Sequence, residues 1–112
     1  MDHQRGDIIL VHFDPALETE AASTRPAIII TNNISNVISP QLVVIPLTSN
    51  LERIYPHECV LKREITGLDL DSKAQPQLIR HIARERIGAT IGYVPNEAIR
   101  ELEDRLRRHL GL

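Results

Sequence analysis

The apolar residues of this chain change their spacing once, at Pro95, and that change limits what it can fold into. Before it they come in short runs rich in β-branched side chains: Ile8-Ile9-Leu10-Val11-His12-Phe13, Ala27-Ile28-Ile29-Ile30-Thr31 and Gln41-Leu42-Val43-Val44-Ile45-Pro46-Leu47-Thr48. Arg5-Gly6-Asp7 and Asp14-Pro15 bracket the first run, and Arg25-Pro26 opens the second, so each run predicts a strand. After Pro95 the apolar positions are Ile99, Leu102, Leu106 and Leu110, with Gly111 just past them. That spacing predicts an amphipathic helix of about three to four turns.

Weaker strand signals lie at His57–Leu61, Leu78–Ile82 and Ala89–Val94. Ala16–Thr24 and Ser49–Arg53 read as loops, Asn32–Asn36 as a turn-rich connector, Gly67–Asp71 as a turn, and Ala83–Arg86 as one short turn. Pro46 predicts an edge or a bulge near the end of the third strand. Five to seven strands followed by one helix predict a mainly β fold, a compact barrel or sheet packed by a C-terminal helix. Residues 1–112 show no repeat, low-complexity tract or linker, so a single domain is expected. A domain this small buries only about two-thirds of its unfolded surface, which makes dimerisation a plausible added stabiliser.

Composition removes several function classes. Cys59 is the only cysteine and can form neither an internal disulfide nor a cysteine metal cluster. Phe13, Tyr55 and Tyr93 are the only aromatics, too few for a broad base-stacking platform or a proline-peptide groove. The polar N-terminus does not read as a signal peptide, and no apolar run approaches the ~20 residues of a membrane span. A cytoplasmic protein is expected. The net charge of −2 argues against a generic basic nucleic-acid binder. Of 11 Arg, four (Arg100, Arg105, Arg107, Arg108) fall in the C-terminal segment, where Glu101–Arg105, Glu103–Arg107 and Asp104–Arg108 predict pairs on a solvated face. The other seven are scattered through the strand-rich part, where arginine suits phosphate and base edges.

The chain has no phosphate-binding glycine loop, Cys-x-x-Cys, His-Glu-x-x-His or Gly-x-Ser-x-Gly. Its five histidines (His3, His12, His57, His81, His109) do not pair at metal-ligand spacing, so neither metal nor cofactor is expected. What remains is a set of polar residues at strand ends: Arg5-Gly6-Asp7 before a strand ending Phe13-Asp14-Pro15, Glu20 shortly before Thr24-Arg25-Pro26-Ala27, and Ile45-Pro46-Leu47-Thr48-Ser49-Asn50. Tyr55-Pro56, Gly67-Leu68-Asp69, Asp71-Ser72-Lys73-Ala74, Gln77 and Arg80 follow.

In that order and spacing, over nearly the whole chain, these motifs resemble the MazF/PemK toxin endoribonucleases of toxin–antitoxin pairs. The resemblance implies an SH3-like barrel of the CcdB/MazF/PemK type, usually a homodimer, cutting single-stranded RNA, chiefly mRNA, at short sequences without a metal and blocked by a separate, MazE-like antitoxin. It places Arg25 and Thr48 at the family's catalytic pair and Glu20 at an acidic loop position. Ser49, Asn50, Gln77 and Arg80 become candidate RNA contacts. The chain departs from the family at Glu18, where glycine is common, at Pro76, where an acidic residue is common, and at His12, where aspartate is common.

The chemistry of these residue types agrees. Attack of a 2′-hydroxyl on the adjacent phosphorus needs charge stabilisation and proton transfer. An Arg25 fork and a Thr48 hydroxyl suit the first need. The proton acceptor stays open, because arginine is a poor base: Glu20 is the leading candidate, and a histidine brought in by folding is the other. Two other readings keep the fold: a CcdB-like gyrase poison, or an RNA-binding relative without nuclease activity.

Overall fold

The computed structural model describes residues 3–13 and 24–112. Its centre is an antiparallel trio, β1 (Asp7–His12), β2 (Thr24–Ile29) and β3 (Gln41–Thr48), with Ile8 opposite Ile28 and Ile28 opposite Ile45. Both faces of the trio are covered, which is why its strands read as unbroken apolar runs and do not alternate. On one face Ile8, Ile28, Ile45 and Leu47 pack with Cys59, Leu61, Ile99 and Leu102. On the other, Ile9, Val11, Ala27, Ile29 and Val44 pack with Leu42 and Ile82. The expected mainly β architecture with a C-terminal helix is observed, as a strongly curled antiparallel sheet closed by α3 (Asn96–Leu110).

β3 organises the curl. Its first half pairs with β6 (Arg80–Ala83), and its last two residues pair with β5 (Ser72–Ala74), which in turn pairs with β4 (Cys59–Leu61). Pro46 is therefore not on an edge. It falls between the β6 and β5 pairings, where its missing N–H leaves no gap in either ladder, and its carbonyl accepts from Gln75 N at 3.0 Å. On the far side β1 pairs with β7 (Ile87–Tyr93) through two register irregularities, which increase local twist. Gly92 sits where the turn after α2 (Arg63–Thr66) presses on β7, and a Cβ there would lie 2.6 Å from the Thr66 carbonyl oxygen.

Several expectations need correcting. The connector after Thr31 contains a helix, α1 (Asn33–Ile38), started by the Asn32 side chain accepting from Ser35 N at 2.9 Å. Arg84 satisfies its last carbonyls, donating to Asn36 O at 2.7 Å. Leu78 belongs to a 3₁₀ turn (Pro76–Leu78), not to a strand, and the short turn expected at Ala83–Arg86 is a second one (Arg84–Arg86). On α3 the Glu101–Arg105 pair forms at 2.9 Å, but Glu103 reaches Arg5 at 2.7 Å and Asp104 pairs with Arg107 at 3.3 Å. The acidic face of the helix thus ties down the N-terminal segment as well as itself. Among the described residues no helix is long and apolar enough to cross a membrane.

Candidate active site

Arg25 lies near the start of β2 and Thr48 ends β3. The β2–β3 ladder runs as far as Ala27 opposite Pro46, so Arg25 and Thr48 lie two residues beyond its last rung, each at its own strand's end. Thr48 is the register partner of Lys73 on β5. Arg25, Thr48 and Lys73 form one row in the sense that all three line the same cavity at these strand ends.

Two cavities meet at this row. The larger, about 410 Å³, is lined by Arg25, Thr48 and Ser49 together with Leu68, Asp69 and Ser72. The smaller, about 280 Å³, shares Arg25 and Thr48 and adds Asn50, Glu52, Arg53, Lys73 and Gln75. Arg25 is exposed and Thr48 half-buried, so a guanidinium and a hydroxyl both face the groove these cavities form.

The loop between β3 and β4 is held in shape from inside. Asn50 N donates to Thr48 Oγ1 at 3.2 Å and Glu52 N to Asn50 Oδ1 at 3.1 Å, successive side-chain turns that start the loop. Further on, Glu58 is 2 % exposed and Lys73 6 %. Lys73 Nζ stands 2.9 Å from Glu58 Oε1 and also donates to the Arg53 carbonyl. Tyr55 N donates to Glu58 Oε1 at 2.9 Å, and Gln77 Nε2 donates to Glu58 Oε2 at 2.6 Å. Burial pushes the Glu58 carboxyl upward, but the hydrogen bonds from Lys73, Gln77 and the Tyr55 N–H outweigh it and hold the group below its ordinary value. Outside the clasp, the Arg53 guanidinium lies 5.1 Å from the Tyr55 ring centroid, and Tyr55 stacks on His57 with centroids 5.6 Å apart.

The sequence candidates divide as follows. Arg25, Thr48, Ser49 and Asn50 are brought together around the two cavities. Gln77 lines neither, its amide being engaged by Glu58. Arg80 also lines neither, and its guanidinium sits 5.1 Å from the Phe13 ring centroid. Glu20 and Glu18 lie outside the described residues. His12 Nδ1 is 2.9 Å from Thr24 Oγ1, beside the larger cavity that Thr24 lines. Pro76 is buried and opens the 3₁₀ turn.

Asp69, Glu52, Arg53, Lys73 and Gln75 were not singled out from the sequence as site residues. Asp69 and Lys73 lie in motifs visible in the sequence, but nothing local gives any of the five a site role: the β3–β5 pairing brings Lys73 to Thr48 with Gln75 just beyond it, and Glu52 and Arg53 sit on the loop after β3. Among the described residues no three His, Cys, Asp or Glu side chains gather as metal ligands.

A curled antiparallel sheet with a C-terminal helix, and an arginine and a threonine at two strand ends, define a small barrel-like domain with a polar surface groove. A family model described as PemK-like, MazF-like toxin of type II toxin-antitoxin system matches residues 4–110, and the chain belongs to that family. It is 39% identical over 114 residues to "Endoribonuclease MazF9" of Mycobacterium tuberculosis (strain ATCC 25618 / H37Rv), covering 97% of both chains. In fold it is similar to MazF (Form-I) from Deinococcus radiodurans, with a TM-score of 0.82 at 20% identity over 100% of this chain and 99% of that one. It is also similar to a mycobacterial endoribonuclease solved in complex with its cognate antitoxin, with a TM-score of 0.76 at 19% identity over 99% and 95% of the two chains.

Proposed function

We propose that this toxin-family chain is an endoribonuclease that cuts single-stranded RNA at the Arg25–Thr48 row. The observation that carries the reading is the row itself. A guanidinium and a hydroxyl, carried at the ends of two paired strands, line both of two adjoining cavities.

In the reaction the 2′-oxygen forms a bond to the adjacent phosphorus and the bond to the 5′-oxygen breaks. The 2′-hydroxyl proton goes to a base, and a proton is returned to the leaving 5′-oxygen. The products are a 2′,3′-cyclic phosphate and a 5′-hydroxyl, and DNA, lacking the 2′-hydroxyl, is spared. Arg25 neutralises charge on the non-bridging oxygens through its planar fork, and Thr48 donates a hydrogen bond to the same group. The proton acceptor is a carboxylate: Glu20, the candidate from sequence, or Asp69, which lines the larger cavity.

The curated relative is named an endoribonuclease, which favours this reading over a gyrase poison or an RNA-binding relative without activity. The mycobacterial neighbour in complex with its cognate antitoxin supports a separate antitoxin as partner. Exposed Ile34, Val37 and Ile38 on α1 support self-association into a homodimer, because an apolar patch of that kind is unfavourable in water. Messenger RNA as the target implies action in the cytoplasm.

The test is incubation of the purified chain with a long single-stranded RNA in EDTA, followed by mapping of the cut ends. Cuts at one short motif, ending in cyclic phosphates and lost in Arg25→Ala and Thr48→Ala, are expected. Undiminished cutting by Arg25→Ala, or cutting only with added divalent metal, overturns the mechanism. A monomer in sedimentation at micromolar concentration overturns the homodimer.

A further inference from the structure

We propose that the smaller cavity is a nucleobase pocket. It seats the base next to the scissile phosphate, and Gln75 and Glu52 select a base carrying an exocyclic amine over uracil. The proposal rests on the RNA-cutting reading and deepens it.

Position comes first. The cavity shares Arg25 and Thr48 with its larger neighbour, so a group seated in it lies beside the place where those two residues would hold the scissile phosphate. Its volume of about 280 Å³ is near the ~300 Å³ lower end of small-ligand sites. That is room for one flat heterocycle and little besides.

The charge of the lining is mixed. Arg25 and Arg53 bring guanidiniums, the second lying over the Tyr55 ring, and the Lys73 ammonium is already matched by the buried Glu58 carboxylate. Glu52 adds an exposed carboxylate that repels an anion. Asn50 and Gln75 bring neutral amides, the groups that match the mixed donors and acceptors of a base edge.

Selectivity follows from the acceptors. Gln75 Oε1 accepts no hydrogen bond among the described residues and is covered in the free protein, so the amide swings into the cavity that its residue lines to meet a donor, and satisfying the orphaned oxygen favours that swing. Glu52 offers only acceptors when ionised. Gln pairs with the adenine amine and a carboxylate with the cytosine amine. Uracil presents one N–H between two carbonyl oxygens, and those oxygens would face the Glu52 carboxylate. The wall is preorganised, because Glu58 and Lys73 fix the backbone of Arg53 and Tyr55 before any RNA binds.

The experiment is cleavage of an RNA pool randomised around the cut, with both ends sequenced, by the wild type, Gln75→Leu and Glu52→Gln. The wild type is expected to disfavour uracil at one position flanking the cut. Gln75→Leu should relax that exclusion by about tenfold, the scale of a lost base-edge contact, and leave other positions as they were. Glu52→Gln changes an exposed residue that tolerates substitution. It should relax the same position, so the pocket stays testable if Gln75→Leu fails to fold. An unchanged base profile in a folded variant, or free acceptance of uracil on both sides of the cut by the wild type, overturns the pocket and leaves the nuclease standing. A wild type that cuts no RNA overturns both.

Discussion

Thr48 and Lys73 are register partners on β3 and β5. The hydroxyl proposed to contact the scissile phosphate and the ammonium that pins the adjoining loop thus share one rung of the sheet. That rung couples the stability of a buried ion pair to the shape of the groove, and the coupling is measurable from both ends.

Lys73→Met leaves the Glu58 carboxylate buried without its cation. The expected loss is about 3–5 kcal/mol, the usual penalty for breaking a buried pair from one side. Urea denaturation reads it directly. The double change Glu58→Gln with Lys73→Met should recover part of the loss, because no charge is then stranded. Equal destabilisation in the single and double variants would show that the pair contributes packing alone.

Acid titration reports the same pair. The folded-state value of Glu58 lies below its ordinary 4.5, so its contribution to stability is full above that pH. The contribution fades as pH falls from there through the folded-state value, because the unfolded chain takes up the proton first. Thermal melts from pH 7 downward should hold a plateau and then drop. Glu58→Gln should flatten the part of the drop that this carboxyl supplies.

Arg25→Lys keeps the positive charge and removes the planar fork. If Arg25 acts by bidentate contact with the phosphate, lysine will not rescue it, and activity should fall by about 100- to 1,000-fold, much as in Arg25→Ala. Because Arg25 is exposed, stability should stay within about 0.5 kcal/mol. Near-full activity with lysine would reduce the role to simple electrostatic attraction.

The Cys59 thiol is pushed up to about 11, chiefly by burial. At pH 8 it should resist a thiol reagent such as iodoacetamide in the native protein and react as the chain unfolds. Labelling that follows the urea transition is the expected outcome. Rapid labelling without denaturant would mean that the β4 region opens locally.

Gly92→Ala places a Cβ against the Thr66 backbone carbonyl, which has no flexible side chain to move aside. A destabilisation of about 1–3 kcal/mol is expected, as for other overpacked sites. The denaturation midpoint should fall with an unchanged slope.

The central strands were legible because Ile8–Phe13, Ala27–Thr31 and Gln41–Thr48 are buried on both faces and carry their signal locally. Helix α3 was legible for the same reason, through the spacing of Ile99, Leu102, Leu106 and Leu110. Helix α1 was hidden because Asn33–Ile38 is only six residues long, its Ile34, Val37 and Ile38 are mixed with the turn formers Asn33, Ser35 and Asn36, and its end is satisfied by Arg84, far away in sequence. Strand β5 was hidden because Ser72-Lys73-Ala74 has no apolar run, and only pairing on both sides makes it a strand. The Arg25–Thr48 pair was named through its motif, whereas Lys73, Gln75 and Glu52 depend on sheet register and loop turns that leave no local trace.

Strand register fixes Arg25 and Thr48, whereas Asn50, Glu52 and Arg53 hang from a loop and Gln75 stands just beyond the short β5. Descendants of such a chain can exchange residues at these outer positions without repacking the sheet. Target choice can then drift over generations while reactivity is inherited intact, so one scaffold can give rise to many toxins with different victims.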